Sequence, residues 1–288
     1  MYAQSTGSAR QLRRALVAWA VAVAVLIVPT PTHAARDSAS CSQFQAVGRQ
    51  LTVAGYESRP SWVQVADDPS APLLLMLHGL NGCVEHLQGL TAMDTADQRS
   101  VSLLWVSGVG QRTRVWDGWG TNGPATYSYL RAAIEAARVA GAVPRTVIVV
   151  GLSMGAVQAM MLGCAMPATF AGVVYVAGND SYRCRVKVDV PLLAIGGAGD
   201  SSIGGTEGTH RVVGRWLDEA ITCTIAPASY VVGSWTYCEW MVAEIVVEGY
   251  GHGWPLPPVY DTDSAITAFA WAIDRRTHPH GWATLGPS

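Results

Sequence analysis

Three residues far apart in the chain are of the types that a hydroxyl nucleophile requires: Ser153 in "VIVVGLSMGAVQAMML", Asp200 in "AIGGAGDSS" and His252 in "VVEGYGHGWP". A serine hydroxyl attacks a carbonyl only when a base takes its proton. An imidazole does this near neutral pH when a carboxylate holds its other ring nitrogen and stabilises the cation that forms. The order Ser, Asp, His along the chain is that of a nucleophile carried on a strand-to-helix elbow. Gly-x-Ser-x-Gly is by itself a weak signal in a chain with 30 glycines; its context strengthens it. The β-branched run Val147, Ile148, Val149, Val150 predicts a strand buried on both faces, and Ala156, Ala159, Met160 and Leu162 predict a packed helix after the corner. Gly151 and Gly155 flank that corner, where larger side chains would crowd the turn. The competing reading of Ser153 is a turn serine that caps the following helix.

The elements that must position these residues are legible as apolar runs. "SRPSWVQVAD" (58–67) alternates as an early antiparallel strand. "PLLLMLHG" (72–79), "VSLLWVSG" (101–108), 147–150, "AGVVYVAG" (171–178), "PLLAIGG" (191–197) and "AEIVVEG" (243–249) are further strands, with helices expected at 126–141, after Ser153 and at 264–276. Strands alternating with helices predict an α/β fold with a mostly parallel central sheet covered on both faces, and in such sheets sites gather at the carboxyl ends of the strands. Ser153, Asp200 and His252 each directly follow a predicted strand. Asp180, after the strand at 171–178, is the alternative acid. His210, His278 and His280 lack a position behind a core strand. A tetrahedral oxyanion needs backbone donors, for which the amide of Met154 and that of Leu80 in "LHGLNG" (77–82) are the candidates; His78 is read as shaping that loop.

Of the 288 residues, 50% are hydrophobic, enough for a large core. Arg10, Arg13 and Arg14 precede the apolar run 15–28, and Thr32 and Ala34 suit a cleavage site, so residues 1–34 are expected to be a signal peptide. The run is short of the ~20 residues that span a bilayer, which disfavours an uncleaved anchor. The paired arginines leave the export route open; Ser38, Ala39 and Ser40 ahead of Cys41 do not suit a lipid anchor. Removal of 1–34 takes three of 19 Lys/Arg and none of 21 acidic residues, moving the net charge from −2 to −5, so nucleic acid is not an expected partner. Residues 41–276 are expected to form a single domain and 277–288 a tail. Cys41, Cys83, Cys164, Cys184, Cys223 and Cys238 all lie in the exported part, where disulfides are expected; Cys223 with Cys238 is the first choice, because they bracket one loop-like segment. The spacing of Cys and His predicts no metal site.

These motifs together resemble the secreted polyhydroxybutyrate depolymerase and feruloyl esterase family of α/β-hydrolases. "SRPSWVQVAD" with "PLLLMLHG" resembles the family's opening, "GLSMGA" its nucleophile segment, "GGAGD" its acid loop and "GYGHGWP" its histidine loop, over about residues 59–255. The resemblance implies an α/β-hydrolase fold, Ser153, Asp200 and His252 as a catalytic triad, and ester hydrolysis through an acyl-enzyme without cofactor. Ala198 and Gly199 ahead of the acid, and Tyr250 where a glycine often stands, depart from the pattern next to the acyl pocket. The short stretch between Gly178 and Pro191 leaves no room for a large lid domain.

Trp116, Trp119 and Trp254 are candidates to bind a polymeric or sugar-linked ester through flat aromatic faces. Core packing is the equal alternative for Trp116 and Trp119 in a chain with 11 Trp and 3 Phe. A monomer, secreted or associated with the cell envelope and without a membrane span after cleavage, is expected. The rival functions are acyl transfer to an envelope alcohol and binding without turnover.

Overall fold

The computed structural model describes residues 45–91, 93, 100–109, 115–116, 124–222, 229–231, 234–237 and 241–277. All of them belong to one compact unit, Ala35–Ser288.

Ten strands among the described residues form one sheet. In chain order they are β1 (Arg49–Leu51), β2 (Ser61–Gln64), β3 (Leu73–Leu77), β4 (Ser102–Val106), β5 (Val147–Leu152), β6 (Gly172–Val176), β7 (Leu192–Gly197), β8 (Ser229–Val231), β9 (Ser234–Tyr237) and β10 (Val242–Val247). Their order across the sheet is β1-β2-β4-β3-β5-β6-β7-β10-β9-β8. From β4 to β10 every neighbouring pair is parallel, and antiparallel pairs lie outside that block at both edges. Pairings such as Leu75 with Val149, Gly151 with Tyr175 and Ile195 with Ile245 keep the central strands in step, so β5, β7 and β10 all end on the same rim.

The helices are α1 (Val84–Leu90), α2 (Pro124–Val139), α3 (Met154–Ala165), α4 (Gly205–Ala220) and α5 (Thr262–Thr277). Because side chains alternate across a strand, each central strand feeds two cores. Leu73, Leu75, Val149, Val173 and Tyr175 pack with α2, α3 and α4 through Leu130, Val157, Met161, Val212 and Trp216. Leu74, Met76, Ile148, Val150 and Val174 pack with α1 and α5 through Leu87, Ile266, Phe269 and Ile273. Every residue of β3, β4, β5, β6 and β7 is buried, which is why these strands read as unbroken apolar runs. No helix among the described residues is long and apolar enough to cross a membrane.

The strands expected from the sequence are present, and the helix expected at 126–141 runs two residues ahead of that reading. It stops at Val139 because Gly141, at φ 109°, turns the chain and lets the Ala142 amide reach back to the Ala137 carbonyl (3.0 Å). Strands β1, β8 and β9 and helices α1 and α4 were not expected. Helix α4 carries glycines at 205, 208 and 214, which mask its periodicity; tertiary packing of Val212, Val213, Trp216 and Leu217 carries it instead. The segment between Cys223 and Cys238 is corrected from loop-like to a β8–β9 pairing, with Tyr230 opposite Trp235. Aromatic and β-branched residues favour that pleated surface.

Cys223 and Cys238 themselves lie outside the described residues. Cys164 and Cys184 form a disulfide, with Cα atoms 5.4 Å apart, that joins the end of α3 to the connection after β6. Cys83, at the N-cap of α1, is also disulfide-bonded. The connection between β6 and β7 contains no helix, so no lid domain rises there.

The Cys164–Cys184 loop spans 20 residues. Constraining a loop of that length in the unfolded chain is worth about 3 kcal/mol. Replacing both cysteines by alanine should lower the unfolding free energy by about that amount, read by extrapolating urea unfolding to zero denaturant with the slope fitted separately for each protein, since release of the cross-link expands the unfolded chain.

Candidate active site

Ser153 sits between β5 and α3 at φ 55°, ψ −116°, a backbone state that side-chain-bearing residues rarely adopt. Holding a residue there costs about 1–3 kcal/mol and persists only where the surroundings over-determine it. The Ser153 amide donates to the Val176 carbonyl (2.9 Å), tying the corner to β6, while the Ser153 carbonyl accepts from the amides of Ala156 (3.0 Å) and Val157 (3.3 Å). A side chain on Gly151 would strike the Gly155 carbonyl, and one on Gly155 would strike the carbonyls of Leu77 and His78. The two flanking glycines therefore answer to contact as much as to backbone freedom: helix α3 starts directly on the ends of β5 and β3.

The structure brings Ser153, His252 and Asp200 into one hydrogen-bonded line. His252 Nδ1 lies 2.8 Å from Asp200 Oδ2, and His252 Nε2 lies 3.0 Å from Ser153 Oγ. A carboxylate can only accept, so Nδ1 carries the proton; in the neutral ring Nε2 is then the acceptor for the serine hydroxyl. The Asp200 side chain is fully buried, whereas that of His252 is 40% exposed and Ser153 is partly exposed. The serine end of the line thus faces solvent and the carboxylate end faces protein.

The loops are bound to each other through the backbone, the Ala198 amide donating to Val247 O (3.0 Å) and the Gly199 amide to Tyr250 O (2.8 Å). Asp180, the alternative acid, is engaged elsewhere: Arg215 Nη2 pairs with its carboxylate at 3.1 Å and Arg215 Nη1 donates to its carbonyl.

Burial is the largest influence on the Asp200 carboxyl and pushes it up. The hydrogen bonds from His252 and from the Ser202 hydroxyl, the charge of His252 and the Ser202 amide together outweigh it, and the carboxyl is held below its ordinary value of 3.8.

Met154, the first residue of α3, and Leu80, in the loop after β3, are the two expected donors to an oxyanion. Neither amide donates to another backbone carbonyl among the described residues. The loop after β3 touches the elbow, because a Cβ on Gly79 would lie 3.3 Å from the Cβ of Ser153. Buried His78 holds that loop. The Gly108 amide donates to its Nε2 (2.8 Å), so Nδ1 is the protonated nitrogen and donates to Gly79 O (2.7 Å). This matches the reading of His78 as a residue that shapes the loop.

The aromatic expectations need correction. Trp116 is 1% exposed, lies with its ring 4.8 Å from that of His78 and donates from Nε1 to the His78 carbonyl (2.9 Å). Trp254 is 2% exposed and donates from Nε1 to buried Asp263 Oδ1 (2.8 Å) on α5. Neither offers a face to a substrate, because an indole is large enough to fill core space and its one N–H finds a partner there. Trp119 lies outside the described residues.

The contacts of two residues at the site escaped the sequence reading. Ser202 donates to Asp200 Oδ1 from its hydroxyl (2.5 Å) and its amide (3.0 Å), and its Oγ is 2.9 Å from His252 Nδ1. An aspartate followed two residues on by serine is the signal of such an Asx turn. The Tyr250 hydroxyl donates to the Trp254 carbonyl (2.7 Å), closing the chain around His252; no sequence signal marks that contact. Among the described residues no group of three or more His, Cys, Asp or Glu side chains could hold a metal ion.

No family model matches the chain. A curated relative described as "Putative esterase NocK", from Nocardia uniformis subsp. tsuyamanensis, is 27% identical over 201 residues, covering 60% of this chain and 57% of the relative. The chain thus spans little more than half the length of the curated relative it matches.

Among solved structures, an acetyl xylan esterase from Aspergillus awamori superposes with a TM-score of 0.53 at 13% identity, over 73% of this chain and 94% of that one. TT1662 from Thermus thermophilus gives 0.52 at 20% identity, over 80% and 98%. A Bacillus cereus carboxylesterase gives 0.51 at 18% identity, over 74% and 93%. The chain has the α/β-hydrolase fold.

The lowered carboxyl of Asp200 carries a sign. Its stabilisation is present above the ordinary value of 3.8 and is lost as pH falls through the lower folded value. In urea unfolding across a pH series, the stability lead of wild type over Asp200→Asn should be present above the ordinary carboxylate range and shrink as the pH is taken below it.

Proposed function

We propose that this chain is a secreted serine esterase that hydrolyses carboxylic esters through an acyl-enzyme. The observation that carries the reading is the line Ser153 Oγ, His252 Nε2, His252 Nδ1, Asp200 Oδ2, with its links of 3.0 and 2.8 Å. It is supported by the elbow backbone at Ser153 and by a relative and fold neighbours that are themselves described as esterases.

In this reading Ser153 Oγ attacks the ester carbonyl while His252 Nε2 takes its proton, and buried Asp200 stabilises the imidazolium. The negative charge on the carbonyl oxygen is met by the amides of Met154 and Leu80. Collapse of the tetrahedral species returns the proton from His252 to the leaving alkoxide, leaving an acyl group on Ser153. Water, deprotonated by His252, then attacks the acyl carbonyl, and a second collapse frees the acid and restores the serine hydroxyl.

The substrate class follows the sequence resemblance: an ester of polyhydroxyalkanoate, feruloyl-sugar or acetyl-sugar type. The helix-free connection after β6 supports an open cleft suited to a bulky polymer. Residues 1–34 act as the export signal, 41–276 as the catalytic domain and 277–288 as its tail. Disulfides at Cys83 and Cys164–Cys184 support an oxidising destination.

A fluorophosphonate probe should label the purified mature chain once, at Ser153, and labelling should vanish in Ser153→Ala. Absence of labelling in folded wild type would sink the catalytic reading. Hydrolysis of short nitrophenyl esters should fall about 10⁴-fold in Asp200→Asn and stay within a few-fold in Asp180→Asn. Products formed in mixtures of water and sugar alcohols separate hydrolysis from acyl transfer.

A further inference from the structure

We infer that Ser202 is a positioning residue of the proton relay, clamping the carboxylate of Asp200 and the protonated nitrogen of His252 with a single hydroxyl. The inference rests on the esterase reading of the site and assigns it a fourth member.

Asp200 Oδ2 is occupied by His252, which leaves Oδ1 as an anionic oxygen on a fully buried side chain. An ionised oxygen in that position must be hydrogen-bonded or it is costly. Ser202 supplies two donors to it, the amide at 3.0 Å and the hydroxyl at 2.5 Å. The hydroxyl contact is the shorter of the two, as expected for O–H to a charged acceptor. Its proton is therefore committed to Asp200, and the lone pairs of Ser202 Oγ are what remain to face His252 Nδ1 at 2.9 Å.

The Nδ1 proton thus lies between two acceptors, Asp200 Oδ2 at 2.8 Å and Ser202 Oγ at 2.9 Å. Two consequences follow for the reaction. Both acceptors select the ring form with the proton on Nδ1, which frees Nε2 to take the Ser153 proton. When that proton arrives and the ring becomes cationic, both acceptors strengthen together, at the step where charge develops.

Ser202 does this from the surface. It is an exposed residue, in contrast to Asp200 beneath it and to Ile203 beside it, which are both buried. Removing its hydroxyl opens no core cavity, so its loss reports on the relay more than on packing. Ser201, the adjacent serine, makes none of these contacts to Asp200 or His252 among the described residues.

The test compares Ser202→Ala, Ser202→Thr and wild type on a soluble nitrophenyl ester, with thermal unfolding as a check on folding. Ser202→Ala should lower kcat about tenfold, the size of one hydrogen bond to a charged group, with KM within about twofold. Ser202→Thr keeps the hydroxyl and should recover most of the loss. In proton NMR at low pH, the downfield Nδ1–H resonance of His252 should move in the alanine variant and return in the threonine variant. If Ser202→Ala does not fold, Ser202→Cys, similar in size but a weak donor, should show the same loss of kcat.

Unchanged kcat in the folded alanine variant, a loss shared equally by KM, or an alanine-like threonine variant would each overturn the inference. Fluorophosphonate labelling separates the two layers. A wild type that does not label defeats the esterase reading itself. A wild type that labels at Ser153, with Ser202→Ala labelling at the same rate, defeats only the role of Ser202.

Discussion

The backbone at Ser153 is the constraint from which the rest of the site follows. A residue with a side chain held at φ 55°, ψ −116° needs support on all sides, and it has it. Its amide is bound to β6, its carbonyl caps the first turn of α3, and the glycines on either side let that helix start against the carbonyl ends of β3 and β5. The unfavourable local conformation is offset by the packing of α3 into the core, where every residue from Met154 to Cys164 is buried. The corner lifts the serine side chain to the rim of the sheet, where the loops after β7 and β10 also end.

Those two loops deliver opposite properties. The acid loop buries Asp200 and satisfies it with Ser202, so that its charge is kept without water. The histidine loop leaves its ring half open and is made rigid from behind: the Tyr250 hydroxyl binds the Trp254 carbonyl, and the Trp254 indole binds buried Asp263 on α5. In the proposed reaction, a base that takes a proton across a 3.0 Å hydrogen bond needs a fixed ring more than a flexible one. Trp254, expected to meet substrate, serves that fixation.

Much of the scaffold was legible because buried parallel strands are apolar on both faces and leave continuous runs such as "PLLLMLHG" and "PLLAIGG". Elements whose stability is tertiary were not legible. Helix α4 is interrupted by glycines and held by Trp216 and its neighbours, and strands β1, β8 and β9 are short edge pieces that exist through pairing. At the site, the order of Ser153, Asp200 and His252 and the choice of Asp200 over Asp180 could be argued from strand positions. The occupation of Asp180 by Arg215 could not, because 35 residues separate the partners.

Which side chains stand at the ends of the buried central strands was readable in advance, since periodicity and turn residues are local and each of those strands marks its own boundary. Which faces are open was settled by packing across the chain. Burial depends on what packs from elsewhere in the chain, so Trp116 and Trp254 went into the core, where each indole N–H found a partner. It likewise decided that Cys184 meets Cys164. It also set Ser202 between the acid and the base, because a three-way contact between residues 200, 202 and 252 exists only once β7 and β10 lie side by side.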